Sequence, residues 1–311
     1  MRQQRKWFKK VPINNSASAR TARTAWVYLL PATLIVAGIV GYPFVRTIIN
    51  SFTDAPLISQ TRPAAWTGIG NFLYAFKNAS FQGGIVNTLY FSLMSIALNL
   101  VIGVLTALLL NQKFRGRAIV RTLVILPWAL PTVVNAVLWR WIYNPSYGAL
   151  NALLTQTHIL SDYQSWLGRA GFGTMTMVVL ADTWKNYGLV TILVLAGLQT
   201  IPVELYEASS VDGATWRSNF AHITLPGIQP AILIALVLKT IDGLRVFDII
   251  YLMTAGGPAS ATKTLSFYVY QEAFGFLHLG QASAFAFITV AIIAVFVYLY
   301  IRLIRSEGVS G

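Results

Sequence analysis

The sequence predicts an all-α membrane protein with six transmembrane helices, and three observations predict it. Of its 311 residues, 56% are hydrophobic and only 11% are charged, where an ordinary soluble protein is about one-quarter charged. Six stretches are long and apolar enough to cross about 30 Å of hydrocarbon, which takes roughly 20 helical residues. Lys and Arg crowd the segments on one side of those stretches and are sparse on the other.

The stretches are Trp26–Phe52, Ile85–Leu110, Ala118–Tyr143, Gly173–Leu198, Gln229–Met253 and Ser283–Ile304. The first follows a basic, acid-free tail, as a secretory signal or an organelle transit peptide would. Its apolar run is too long for a signal peptide, no small-residue cleavage site follows it, and five more spans come after. One side of the membrane then receives Arg2, Arg5, Lys6, Lys9, Lys10, Arg20, Arg23, Lys113, Arg115, Arg117, Arg121, Arg217, Arg302 and Arg305. The other receives Arg62, Lys77, Arg169 and Lys263, so the balance is fourteen to four. Positive loops stay inside, which puts both termini in the cytoplasm. The organisation expected is a basic tail (1–25), one six-helix domain (26–304) and a short C-terminus (305–311), with a short interfacial helix within Ile69–Phe81.

The net charge of +13 would suggest nucleic acid only if it lined a soluble face. It lies in a tail and short loops, so no nucleic-acid partner is expected. Cysteine is absent and His158, His222 and His278 are scattered, which leaves no disulfide, thiolate or metal-ligand spacing. No Gly-x-x-x-x-Gly-Lys-Ser/Thr phosphate loop and no nucleophile–base pair occurs, so the chain is not expected to be an enzyme.

The most informative segment is 200–226. Pro202 and Glu204 suit a first helical turn, where a missing N–H is harmless and a carboxylate meets the positive end of the dipole. Leu205, Ala208 and Val211 recur on one face, and Asp212-Gly213 stops the helix with a residue that tolerates the left-handed region. A second short helix is expected from Thr215, with Trp216, Phe220 and Ile223 on one face, before Leu225-Pro226 opens the fifth span. Such a hairpin is too short to hold a core, so its apolar face needs a partner.

Here the chain resembles a known family. Glu207-Ala208-Ser209, three residues, Gly213, nine residues, Ile223, one residue and Leu225-Pro226 match the EAA loop of permease subunits of ATP-driven (ABC) importers. Ser209 stands where that family usually has alanine. The run Glu-Ala-Ser-Ser-Val-Asp-Gly-Ala, with Leu29-Leu30-Pro31, Tyr42-Pro43, Tyr251–Thr254 and Gly256-Gly257-Pro258, is similar to the carbohydrate branch. The resemblance is to MalF-like binding-protein-dependent permeases, and is closer to the compact six-helix ones for trehalose, glucosylglycerol and related sugars than to the maltose permease's longer subunit. It implies a type I importer permease fold in a bacterial or archaeal plasma membrane. It also implies a second permease subunit, two ATPase subunits that bind the ATP and Mg, and an extracytoplasmic solute-binding protein. The permease itself would carry no cofactor. The loop would be the coupling helix, with Glu207, Ala208, Asp212, Gly213, Leu225 and Pro226 fixing it and Trp216 and Phe220 on its docking face.

Lys239, Asp242, Arg245 and Asp248 follow one another at three-residue steps in the fifth span, about 60° apart around a helix. A charge at the bilayer centre costs at least roughly 2.5–3.5 kcal/mol, so these residues are expected to face the bundle interior or water. Asp182 and Lys185 in the fourth span and Arg140 in the third bring the set to four cations and three anions. A nearly neutral lining argues against a pore that selects ions by sign. It suits a neutral polyhydroxylated solute, with Trp139, Trp184, Tyr187, Phe247 and Tyr251 as candidate apolar faces and Asn135 as a further polar contact. Asp182, Trp184, Tyr187, Asn135, Asp242, Arg245 and Asp248 are thus the candidate substrate path. The alternatives are internal salt bridges and an interfacial aromatic belt. Asn87 and Asn99 read as helix–helix hydrogen bonders. A rival function is an ion-coupled secondary transporter with Asp242, Arg245 and Asp248 as a charge relay. Such carriers usually show internal repeats and broken helices, for which the sequence gives no sign.

Overall fold

A computed structural model describes residues 15–58 and 64–307, with side chains described for 24–58, 64–300 and 302. Arg2, Arg5, Lys6, Lys9, Lys10 and Arg62 therefore lie outside the described residues, as does the end of the expected C-terminal segment. In chain order the helices are α1 (Asn15–Val36), α2 (Tyr42–Ser51), α3 (Gly70–Lys77), α4 (Ala79–Asn111), α5 (Arg117–Ala129), α6 (Thr132–Ile142) and α7 (Ala149–Gln156). They continue with α8 (Phe172–Leu198), α9 (Val203–Val211), α10 (Trp216–Asn219), α11 (Leu225–Leu244), α12 (Asp248–Thr254), α13 (Leu265–Tyr270) and α14 (Leu279–Glu307). Five continuous stretches are long and apolar enough to span a bilayer: Thr24–Ser51, Ala79–Asn111, Phe172–Leu198, Trp216–Leu244 and Leu279–Tyr300. The α5–α6 pair, bent by 98°, brings the number to six if the pair is counted as one span.

The chain divides into two units between Ile49 and Asn50. The first carries α1, one widened π turn at Ala37–Gly41 and most of α2. Its apolar side chains, such as Tyr28 and Ile39, are largely exposed, as expected of a span whose solvent is lipid or another chain. It also carries Arg46, a cation additional to the seven intramembrane charges named above.

In the second unit, α4, α8 and α11 form the central packing. Ala107, Leu110, Val190, Val194 and Ile228 make one core cluster, and Phe91, Met175, Val178, Ile249 and Ile250 make another. The helix expected within Ile69–Phe81 is α3, followed by Asn78, whose side chain accepts from Ser80 N and Phe81 N to cap α4.

Three expectations need correction. The third span is not one helix: Pro131 lacks an N–H and drives Leu130 to φ −72° and ψ 138°, which ends α5 before α6 begins. The fifth span breaks too. α11 stops at Leu244, Arg245 turns at φ −102°, and Phe247 sits at φ −139° and ψ −57° before α12. Gly243 lets α11 press on α4, since a Cβ there would meet Ser92 Oγ at 3.0 Å. The Val246 carbonyl that leaves the helical ladder accepts from Thr264 Oγ1 at 2.9 Å, which satisfies a group that burial would otherwise penalise. Only Lys239, Asp242 and Arg245 share one helix and its terminus; Asp248 starts the next. Lastly, the second helix of the hairpin is not separate from the fifth span. It runs through a π turn at Phe220–Thr224 into α11. Pro226 cannot donate to the preceding turn, and the widened register, with Leu225 N donating to Phe220 O, carries the helix past it. Asn87 and Asn99 differ as well. Asn87 donates to the loop carbonyls of Ser260 and Lys263, and Asn99 bonds Ser95 of its own helix.

Candidate functional site: a polar cavity and an exposed hairpin

The two helix breaks create the site. Where α11 gives way to α12, a cavity of about 290 Å³ opens, walled by charged residues from α8 and α11 and by the 245–248 turn. The α5–α6 bend adds Trp128 and Thr132, one from each side of Pro131. Asp182, Lys185, Lys239, Asp242, Arg245 and Asp248 all line it. That is three cations and three carboxylates, so the lining is balanced; Arg140, outside it, instead donates to the Leu252 carbonyl at 3.3 Å.

Each charge is held differently. Arg245 Nη2 meets Asp242 Oδ1 at 3.0 Å, one helical step apart and both well exposed. Asp182 accepts from Ser95 Oγ on α4 and from Asn186 Nδ2, both at 2.8 Å. Asp248 lies in the first turn of α12, where the helix dipole favours a carboxylate. Lys239, 3% exposed, lines the cavity from three residues before Asp242 on α11. Phe247 lines the cavity and stacks on Tyr251 with ring centroids 5.4 Å apart.

Three of the candidate substrate-path residues lie elsewhere, as do the candidate ring faces Trp139 and Tyr251. Asn135 is fully buried and donates to Ala181 O at 3.2 Å, tying α6 to α8. Trp184 packs edge-on against Trp139 at 5.9 Å. Tyr187, half-buried on α8, lies outside the lining residues. Sequence reasoning missed Phe91, Trp128, Thr132 and Asn186, which line the cavity, and Ser95, which holds Asp182. Two prolines flanking Trp128 were the signal available for that wall; nothing local pointed to Ser95 or Phe91.

At the other end of α11 lies the hairpin. Pro202 caps α9 and Glu204 occupies its first turn. Gly213 stands at φ +72°, with Ala214 N donating to Ser209 O and Gly213 N to Ser210 O. This is the paired closure that a left-handed C-terminal glycine permits. Ser209 Oγ bonds back to Tyr206 O at 2.9 Å, so a serine fits in the alanine position of the EAA pattern. Thr215 caps α10 by accepting from Ser218 N, and Tyr206 OH meets Thr224 Oγ1 at 2.9 Å to fasten α9 across to the π turn. Glu207, Ala208, Asp212, Gly213 and Pro226 are exposed. Exposed with them are Val211 at 89%, Trp216 at 72% and Val203 at 62%, while Phe220 is half-buried against Trp216. Among the described residues, no group of His, Cys, Asp or Glu is arranged to hold a metal ion.

Broken spans around a charged cavity, with an apolar hairpin left bare at one end, define a multi-pass membrane protein of the transporter-permease class. The family model for a binding-protein-dependent transport system inner membrane component matches residues 99–306. The chain is 37% identical over 262 residues to the trehalose/maltose transport system permease protein MalF of Thermococcus litoralis, covering 84% of this chain and 85% of that one. It is 34% identical over 283 residues to the sulfoquinovosyl glycerol transport system permease protein SmoG of Agrobacterium fabrum, covering 91% of each. In structure it is similar to a bacterial ABC transporter involved in the import of the acidic polysaccharide alginate, with TM-score 0.79, 25% identity and coverage of 93% and 98%. The chain belongs to the MalF-like family of binding-protein-dependent ABC permeases. It is a permease component, multi-pass in the plasma membrane, within an ABC transporter complex that includes a binding protein and an ATPase. The ATPase is a separate subunit, and it binds the nucleotide.

Proposed function

We propose that this chain moves a sugar or sugar-derived compatible solute, such as a disaccharide or a glucoside, into the cytoplasm by alternating access. Its drive comes from the ATPase through residues 200–226. One observation carries the reading. Trp216–Leu244 is a single helical stretch of 29 residues, roughly 40 Å long at about 1.5 Å per residue. One end bears the bare apolar hairpin, and the other bears Lys239 and Asp242 in the cavity wall. A displacement of the hairpin is a displacement of the cavity wall.

The balanced lining supports a solute recognised by hydrogen bonds, and relatives named for trehalose/maltose and sulfoquinovosyl glycerol transport agree with a carbohydrate. The complex comprises this chain, a second similar permease, two ATPase subunits and an extracytoplasmic solute-binding protein, with both termini of this chain cytoplasmic. When the ATPase pair closes on ATP, the hairpin follows and the cavity opens outward to receive solute. Asp182, Asp242, Arg245, Asp248 and Phe247 meet it there. The charge-relay alternative is disfavoured at the level of sequence because such carriers usually show broken helices, for which the sequence gives no sign. α5–α6 and α11–α12 are both broken, so that distinction falls away, and membership of an ATP-driven family is what favours coupling to an ATPase.

Gly213→Val tests the coupling. A Cβ at Gly213 meets nothing within 4 Å, so the change strains only the left-handed backbone, by about 1–2 kcal/mol. The complex should assemble and keep basal ATP hydrolysis, while solute-stimulated hydrolysis falls several-fold. Unchanged stimulation contradicts the assignment. Screening sugars for that stimulation then identifies the solute.

A further inference from the structure

A second cavity, of about 270 Å³, lies between the C-terminal parts of α4 and α8 and the start of α5. Its walls are mostly apolar, including Leu110, Val124, Ile125, Ile192 and Leu195; Thr191 and Gln199 are its neutral polar members, and its one charged lining residue is Arg121. Arg121 Nε and Nη2 are cut off from solvent with no hydrogen-bond partner, and so is Nε of Arg117 one turn earlier. Buried donors left unmade are costly, most of all on a charged group, so the two on Arg121 call for an acceptor, and neither Thr191 nor Gln199 is bonded to them. No Asp or Glu occurs between Asp54 and Asp162, while Lys113, Arg115, Arg117 and Arg121 fall within nine residues. A carboxylate from this segment is thereby excluded, and the clustered positive charge favours an anion from outside it.

The surroundings say which anion. Leu105, Leu109, Ile119 and Leu123, on the same two helices, are each more than half exposed and need hydrocarbon against them. A ligand with a negative head and apolar tails meets both demands, and a free ion meets one. We infer that the cavity takes the headgroup phosphate of an anionic phospholipid, paired with Arg121, while its acyl chains cover the exposed faces of α4 and α5. Basic pockets between transmembrane helices recognise such lipids through this combination.

The test is native mass spectrometry of the purified transporter complex in micelles carrying phosphatidylglycerol or phosphatidylcholine. The wild type should retain phosphatidylglycerol in preference. Arg121→Gln should weaken that retention about tenfold and leave phosphatidylcholine unchanged. Ala196→Trp, at the exposed mouth of the cavity, keeps the charge and fills the space, and should displace the lipid as well. Equal retention of the two lipids, or normal retention in both variants, overturns the proposal. So does displacement of the lipid by excess inorganic phosphate. Capture of a second permease chain, rather than lipid, by a photocrosslinker at residue 196 assigns the cavity to a protein interface and overturns it too.

Discussion

Asp242 and Arg245 meet at 3.0 Å with side chains 45% and 66% exposed, and an ion pair so open contributes no more than about 1 kcal/mol to stability. Its place is in the cavity wall, so its loss should be felt by the solute and hardly by the fold. Asp242→Asn is expected to leave the melting temperature of the complex nearly unchanged and to raise the solute concentration that half-stimulates ATP hydrolysis. Asn135 makes the opposite case. Fully buried and bonded to Ala181 O, it joins two helices, and Asn135→Ala should cost about 1–3 kcal/mol. Thermal unfolding should therefore reveal it, with half-stimulation by solute unaltered. If Asn135→Ala shifts half-stimulation while Asp242→Asn does not, the boundary drawn around the cavity is wrong.

Among the elements, the α11–α12 break matters most, and it is held from outside by Thr264 Oγ1 on the Val246 carbonyl. Thr264→Val keeps the shape and removes that donor. It should destabilise the chain by about 1–3 kcal/mol and weaken solute stimulation, because Arg245 and Asp248 depend on the turn; thermal unfolding together with the ATPase assay checks both. The apolar stretches were readable from hydropathy, since length and apolarity are properties of a segment by itself. Gly213 and Thr215 were readable for the same reason: a left-handed stop and a cap act within a few residues. The breaks were not. Pro131 is compatible with either a kink or a corner, and the turn at Arg245–Phe247 depends on Ser92 and Thr264, far away in sequence. Asp182, Asp242, Arg245 and Asp248 were found because charge inside an apolar stretch is conspicuous. Phe91 and Ser95 were not, because an apolar residue and a serine in a span look like packing until the partner helix is seen.

At the scale of the whole molecule, much apolar surface awaits other components: the described face of Thr24–Ser51, the outer faces of α4 and α5, and the hairpin. The first two suit lipid or another membrane chain by composition, but a hairpin rich in Glu, Asp and Ser beside its exposed valines and Trp216 is suited to a protein. The absence of cysteine from the sequence makes the central claim directly measurable, because one introduced cysteine is the chain's sole thiol. Val211→Cys, at a position 89% exposed on α9, should crosslink in native membranes to the ATPase subunit when a short bifunctional reagent is added, and the yield should change between ATP-bound and nucleotide-free states. A chain that crosslinks to no nucleotide-hydrolysing protein, while a control cysteine elsewhere on the chain reacts normally with a monofunctional reagent, would contradict the account.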